Sequence, residues 1–123
     1  MTLQDAVALF LDAKRGAGKS RKTVEWYEYQ LGCFLRWLDG RYTDGSWFRP
    51  EAIDRFLNYE RARGMSDSTV ASRYRALDVF FRWLRRRRYL PSDMALPTEE
   101  MDAPKTPKAV VAYVWNFLTP GWI

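Results

Sequence analysis

SRKTVEWYEYQLGCFLRWL, residues 20–38, and SDSTVASRYRALDVFFRWL, residues 66–84, are two copies of one pattern. Ser20, Thr23, Val24, Leu31, Phe34, Arg36, Trp37 and Leu38 match Ser66, Thr69, Val70, Leu77, Phe80, Arg82, Trp83 and Leu84, every pair at an offset of 46 residues. Within each copy the large apolar residues recur at three- and four-residue spacing, the stripe of a helix packed along one side. The first stripe is Val24, Tyr27, Leu31, Phe34 and Leu38; the second is Val70, Tyr74, Leu77, Phe80, Phe81 and Leu84. Amphipathic helices converge on such stripes, but the shared Ser-x-x-Thr-Val start and Arg-Trp-Leu end favour a structural repeat. Each stripe also begins at a serine, a residue whose hydroxyl can accept from the free N–H groups of a helix start.

Two further helices flank the copies. One is predicted after Thr2, with Leu3, Val7, Phe10 and Leu11 inward, and is broken by Arg15-Gly16-Ala17-Gly18. The other opens at Pro50, whose fixed φ suits a first helical turn, buries Ile53, Phe56 and Leu57, and stops at Gly64. Gly40 ends the first copy, and a loop fills residues 41–48. No stretch alternates with the period of a strand. The expected fold is all-α, a compact bundle of four main helices over residues 1–90, with a linker and a short apolar tail over 91–123.

Composition narrows the function. The chain has 123 residues, 47% of them hydrophobic and 16% aromatic, enough for a core in one domain. Lys and Arg number 20 against 15 Asp and Glu, and fifteen of the 20 are arginine, whose planar fork suits phosphate. A sequence pI near 9.6 points to a polyanionic partner. There is no histidine, which removes Ser-His and Cys-His catalysis and the usual zinc sites. Cys33 is the single cysteine and reads as a small buried or half-buried hydrophobe. The amino terminus carries Asp5 and no basic leader, so it does not read as a signal peptide. The longest apolar run, residues 109–118, is interrupted by Asn116 and is too short for a bilayer. A cytoplasmic protein without cofactor or metal is expected.

The face opposite each stripe suggests the partner. In the second copy it carries Ser68, Ser72, Arg75, Val79 and Arg86; in the first, Lys22, Trp26, Tyr29 and Cys33, with Lys19 and Arg21 beside the first turn. A helix start attracts phosphate through free N–H groups and the local dipole, and basic or hydroxyl side chains beside it make a docking surface for a DNA backbone. Arg73 or Arg75 is available for a base edge. The run Arg85, Arg86, Arg87 and Arg88 either grips phosphates or is a solvated helix end, where the dipole favours cations. Glu99, Glu100 and Asp102 lie in a Pro-flanked segment without other ligands and read as solvated linker.

With these residues in view, residues 3–90 resemble the amino-terminal core-binding, SAM-like domain of phage integrases and other tyrosine recombinases. The resemblance rests on Ser20-x-x-Thr23-x-x-x-Tyr27-x-x-x-Leu31-x-x-Phe34, on Gly64-Met65-Ser66-x-x-Thr69, and on Arg73-x-x-Ala76-Leu77-x-x-Phe80-Phe81-x-x-Leu84. It implies a helical half-clamp whose two crossed helices meet the major groove beside the cleavage site, with the first helix available to a neighbouring protomer. Carried onto this chain, it makes Lys19, Arg21, Lys22, Thr23, Ser68, Thr69, Ser72, Arg73 and Arg75 the expected contacts to double-stranded DNA. Thr23 and Thr69 serve either as contacts or as helix-start residues. Two departures matter. Pro91-Ser92-Asp93-Met94-Ala95 stands where the family commonly has an Asn-Pro pair, and the catalytic arginines, histidine and tyrosine have no counterpart. Tyr113 lacks those partners, so no catalytic residue is expected and the chain reads as non-catalytic.

Two rivals stand beside the DNA-binding module. A protein-interaction or regulatory remnant would dock into recombinase assemblies through the first helix or through the apolar tail, which carries Val110, Val111, Val114, Trp115, Phe117, Leu118 and Trp122. An enzyme completed in trans by a separate catalytic chain has only the family link behind it.

Overall fold

In a computed structural model of the chain, residues 1–42 and 45–105 are described; the apolar tail and Tyr113 lie outside the described residues. Four helices appear in the expected order: α1 (Leu3–Gly16), α2 (Arg21–Leu38), α3 (Pro50–Ala62) and α4 (Asp67–Arg86). A 3-10 turn, Pro97–Glu99, follows, and no strand occurs among the described residues. The protein is all-α.

The helix starts are built by local chemistry. Thr2 caps α1 reciprocally: its hydroxyl accepts from the Asp5 N–H at 3.1 Å, while the Asp5 carboxylate accepts from the Thr2 N–H at 3.1 Å. These hydrogen bonds hold the Asp5 carboxyl below its ordinary value. The two sequence copies start identically. Ser20 accepts from the Thr23 N–H and donates to the Thr23 hydroxyl; Ser66 does the same with Thr69. Pro50 opens α3, where no side-chain cap bond is present.

Three helix ends share one device. After α1, α3 and α4 the chain reverses through a residue in the left-handed region, with paired backbone bonds to the last turn. Gly18 (φ 79°) and Gly64 (φ 91°) take that conformation without a Cβ clash, but after α4 the residue is Arg88 (φ 64°).

The core joins the helices through rings. Phe10 of α1 is fully buried and meets Tyr27 of α2 and Phe80 and Trp83 of α4 edge-on at 5.2, 5.3 and 5.4 Å. Phe34 of α2 meets Phe56 of α3 at 5.1 Å and Trp47 of the loop at 5.9 Å. Phe48 closes on Phe81 of α4 at 5.1 Å. Edge-on pairs at these separations add about 0.5–1.5 kcal/mol each beyond the burial of their area.

Residues 91–101, read from the sequence as the start of a linker, pack back on the bundle. Leu96 is fully buried and Pro97 and Thr98 are buried. The Thr98 hydroxyl donates to Asp78 at 2.7 Å, and the Tyr74 hydroxyl donates to the Thr98 carbonyl at 2.9 Å. Arg85 grips Glu99 with two hydrogen bonds, 2.7 and 3.0 Å, and donates to the Met94 carbonyl. Glu99 is exposed, as a solvated residue should be, but it is not free linker, because it closes this segment onto α4. With Arg85 and the Leu96 N–H donating to it, its carboxyl falls from the usual 4.5 to about 2.

Candidate nucleic-acid interface

At the start of α2, Arg21 and Lys22 are exposed and Lys19 is half-buried. Arg21 is paired with Glu25 at 2.8 Å on its own helix. Lys19 and Lys22 have no ion pair among the described residues. Thr23 is buried and accepts from the Ser20 hydroxyl, so its position is that of a helix-start residue. Farther along the same face, Trp26 is half-buried and Tyr29 is 56% exposed. Cys33, on the helical position opposite the stripe, is buried, as its reading as a small hydrophobe expects, with Arg36 donating to its sulfur at 3.3 Å. It lines a small cavity of about 180 Å³ shared with Tyr59, Glu60 and Arg63 of the α3 end, so the face is open only along its first half.

On α4, Arg75 is exposed without an ion pair among the described residues, and Ser68, Thr69 and Ser72 are half-buried. The Ser68 hydroxyl bonds to that of Ser66, and Thr69 belongs to the cap.

Arg73 is a correction. Expected on DNA, it is 2% exposed and bound inside the bundle. Its Nε donates to Glu60 of α3 at 2.8 Å, and its Nη1 donates to Gln30 of α2 at 2.5 Å. Glu60 is 1% exposed; its other oxygen lies 3.2 Å from Arg63. The Tyr29 ring, 5.2 Å from the guanidinium carbon, covers Arg73 from the α2 side. A guanidinium needs partners once it leaves water, and here they come from two other helices. Arg73 thus fixes how α2, α3 and α4 meet, and Gln30 and Glu60 are its buried partners, which periodicity did not single out.

The contact at Gln30 and Arg73 divides the expected interface into two patches. Ser68, Ser72 and Arg75 lie toward the α3 end, where Arg61 pairs with Asp67. Lys19, Arg21 and Lys22 lie at the other end. There, Lys14 near the end of α1 feels the charges of Lys19, Arg86 and Arg87. Ser68 and Arg86 are 18 residues apart in α4, so about 27 Å separates the two ends along the helix.

The second end is densely cationic. Lys14 sits over the Phe10 ring at 5.1 Å and the Tyr27 ring at 5.8 Å. Phe10 abuts Trp83, and the Arg87 guanidinium lies over Trp83 at 5.3 Å. Burial, reinforced by repulsion from Lys19, Arg86 and Arg87, lowers the Lys14 ammonium from 10.5 to about 8. The four-arginine run consequently divides: Arg85 holds Glu99, Arg86 and Arg87 approach Lys14, and Arg88 turns the chain.

Residues 7–88 match the family model of the phage integrase N-terminal SAM-like domain. The chain belongs to that family. No curated protein and no solved structure matches it. In this integrase SAM-like domain the match runs from α1 to Arg88, so it takes in both copies of the repeat and the buried Arg73 contact. Among the described residues, no helix is long and apolar enough to cross a membrane, and no group of His, Cys, Asp or Glu is placed to hold a metal ion.

Proposed function

We propose that this chain is a DNA-binding module of a tyrosine recombinase, acting by contact and not by catalysis. Its contacts are Lys19, Arg21 and Lys22 on one patch and Ser68, Thr69, Ser72 and Arg75 on the other. The observation that carries the reading is the pair of exposed basic positions, Lys22 and Arg75, on two helices joined through a buried arginine, in a chain of the integrase family.

The test is a fluorescence-anisotropy titration of a labelled mixed-sequence duplex at two salt concentrations. Without a specific site the expected Kd is on the order of 10⁻⁴–10⁻⁶ M. Neutralising about five phosphates gives a slope of log K against log salt of about −4 to −5. A flat salt response would reject the reading.

A second reading, docking to another protein, is favoured by one surface feature. Leu9 of α1 is exposed, and a groove of about 400 Å³ runs beside the α1 start, walled by Leu3, Trp47, Phe48, Leu90 and Met94. Sedimentation of the chain alone checks whether that partner is a second copy, which the DNA-binding reading does not require.

A further inference from the structure

We propose that Tyr29 reads sequence: its ring meets the major-groove edge of a thymine, against the 5-methyl group, between the patches that hold the backbone. The inference rests on the DNA-binding reading, whose cations bind phosphate at any sequence, and adds discrimination to them.

By residue type, Arg73 is the side chain for a base edge, but it is 2% exposed and used inside the bundle. What stands over it at the surface is Tyr29, 56% exposed, with its ring 5.2 Å from the guanidinium carbon. That guanidinium is fixed by Glu60 of α3 at 2.8 Å and by Gln30 of α2 at 2.5 Å. Cation–π attraction holds the ring to this platform, and a tyrosine side chain has only two torsions to fix. Tyr29 is therefore positioned before a ligand arrives. On α2 it follows Lys22 by two turns and half-buried Trp26 by one, all on one face. Next to Arg73 on α4 is half-buried Ser72, with exposed Arg75 farther along the helix. The ring thus stands where the Arg73 contact divides the two basic patches.

Charge separates Tyr29 from those neighbours. Lys22 and Arg75 attract phosphate oxygens, which every base pair presents alike. A neutral ring displaces no counterion and gains most from apolar surface that it can cover. Among the base edges, the thymine 5-methyl is the apolar group, and it lies in the major groove. Phenylalanine meets that methyl by apolar contact, and the tyrosine ring offers the same surface. An exposed ring held on a buried charge, between two basic patches, is suited to that contact and adds little on the backbone.

The experiment uses the full chain. Rounds of binding and recovery from a random duplex library with wild type give the preferred sequence. Anisotropy then measures affinity for that duplex with each thymine replaced in turn by deoxyuridine, which removes only the methyl. Covering one methyl is worth about a fourfold gain in affinity, so at least one position should lose about that much. Tyr29→Ala should bind the thymine and deoxyuridine duplexes equally, with the wild-type salt slope, since no charge is removed. Circular dichroism first establishes its helicity; Tyr29→Gln, which keeps a polar stem over Arg73, takes its place if helicity is lost. Tyr29→Phe keeps the ring and should keep the difference between the duplexes. In a second readout, 5-iodouracil at the sensitive position is photocrosslinked to the wild-type chain, and the crosslink should map to Tyr29. If wild type binds with salt dependence but no thymine shows a methyl effect, or the effect survives loss of the ring, the DNA-binding reading stands and Tyr29 is rejected. A crosslink mapping to another residue rejects it too. Tyr29→Phe losing as much as Tyr29→Ala would make the hydroxyl the contact, and a lower salt slope without the ring would make it a backbone contact; either result overturns the assignment. If wild type binds no duplex, both readings fall.

Discussion

Replacing Arg73 by Met should cripple the fold rather than the interface. The substitution keeps most of the side-chain volume and removes a guanidinium that is 2% exposed. What remains is Glu60, 1% exposed, with only Arg63 at 3.2 Å, and Gln30 without its donor. Breaking a buried pair from one side costs about 3–5 kcal/mol, because the surviving charge stays out of water without its partner. A domain of this size has about 5–15 kcal/mol in total. At roughly 4–8 °C per kcal/mol, the midpoint should fall by at least about 12 °C. The assay is thermal and urea unfolding followed by helical circular dichroism.

The second half of the cycle distinguishes this account from a general packing defect. Arg73→Met combined with Glu60→Leu removes both charges and should recover most of the loss, since apolar replacement of a whole buried pair is often neutral or stabilising by about 1–4 kcal/mol. Two results would refute the reasoning. A loss below about 1 kcal/mol for Arg73→Met would mean that the guanidinium is not held as described. A double variant no more stable than the single would mean that Glu60 is not the group left stranded.

Other perturbations follow from the same geometry. Lys22→Ala and Arg75→Ala should each weaken duplex binding and lower the salt slope by about one, while stability changes by less than about 0.5 kcal/mol; anisotropy and circular dichroism together check this, and unchanged affinity would mean that another face meets DNA. Arg88→Gly should raise stability by about 0.5–1 kcal/mol, because Arg88 occupies the left-handed position that Gly18 and Gly64 fill after α1 and α3; an unchanged or lower urea midpoint would contradict it. Glu99 predicts an acid response. Its folded-state pKa lies below the unfolded value, so its stabilisation is complete above about pH 4.5 and is lost as pH falls through about 2. Hydrogen exchange at the Leu96 amide should speed up across that window before the α2 and α4 amides do, and Glu99→Gln should show the faster exchange at neutral pH.

The helices were legible because their signals are local. Thr2, Ser20, Pro50 and Ser66 mark starts that depend on one turn of backbone, and Gly18 and Gly64 mark ends that depend on a single φ. The stripe residues follow from the period of the helix. What was not legible is whatever joins positions distant in sequence. Glu99 was read as linker because its partner, Arg85, lies 14 residues away across a turn. The cationic end gathers Lys14 with Arg86 and Arg87, more than seventy residues away, and no window of a helical period contains both. For Cys33 residue type and helical position disagree: α2 alone has an open face there, and the end of α3 closes it, as a small hydrophobe expects.

Arg73 is the instructive case, since a signal for it was present and composition overrode it. An arginine on a DNA-binding helix reads as a contact by residue type. The repeat argues otherwise: at the offset of 46 residues that aligns the two copies, Arg73 falls on Tyr27, and Tyr27 is fully buried. Two helices that share their caps and their stripe share the direction of each position, so the register assigned Arg73 to the interior whatever its charge. A buried arginine in turn requires an acid from another element, and α3 has Glu60 three residues past Leu57, on the face that already carries Ile53 and Phe56. Glu60 at that spacing is the acid the register calls for. The repeat thus carried the position of the pair, while the identity of its members came from the desolvation of a charge.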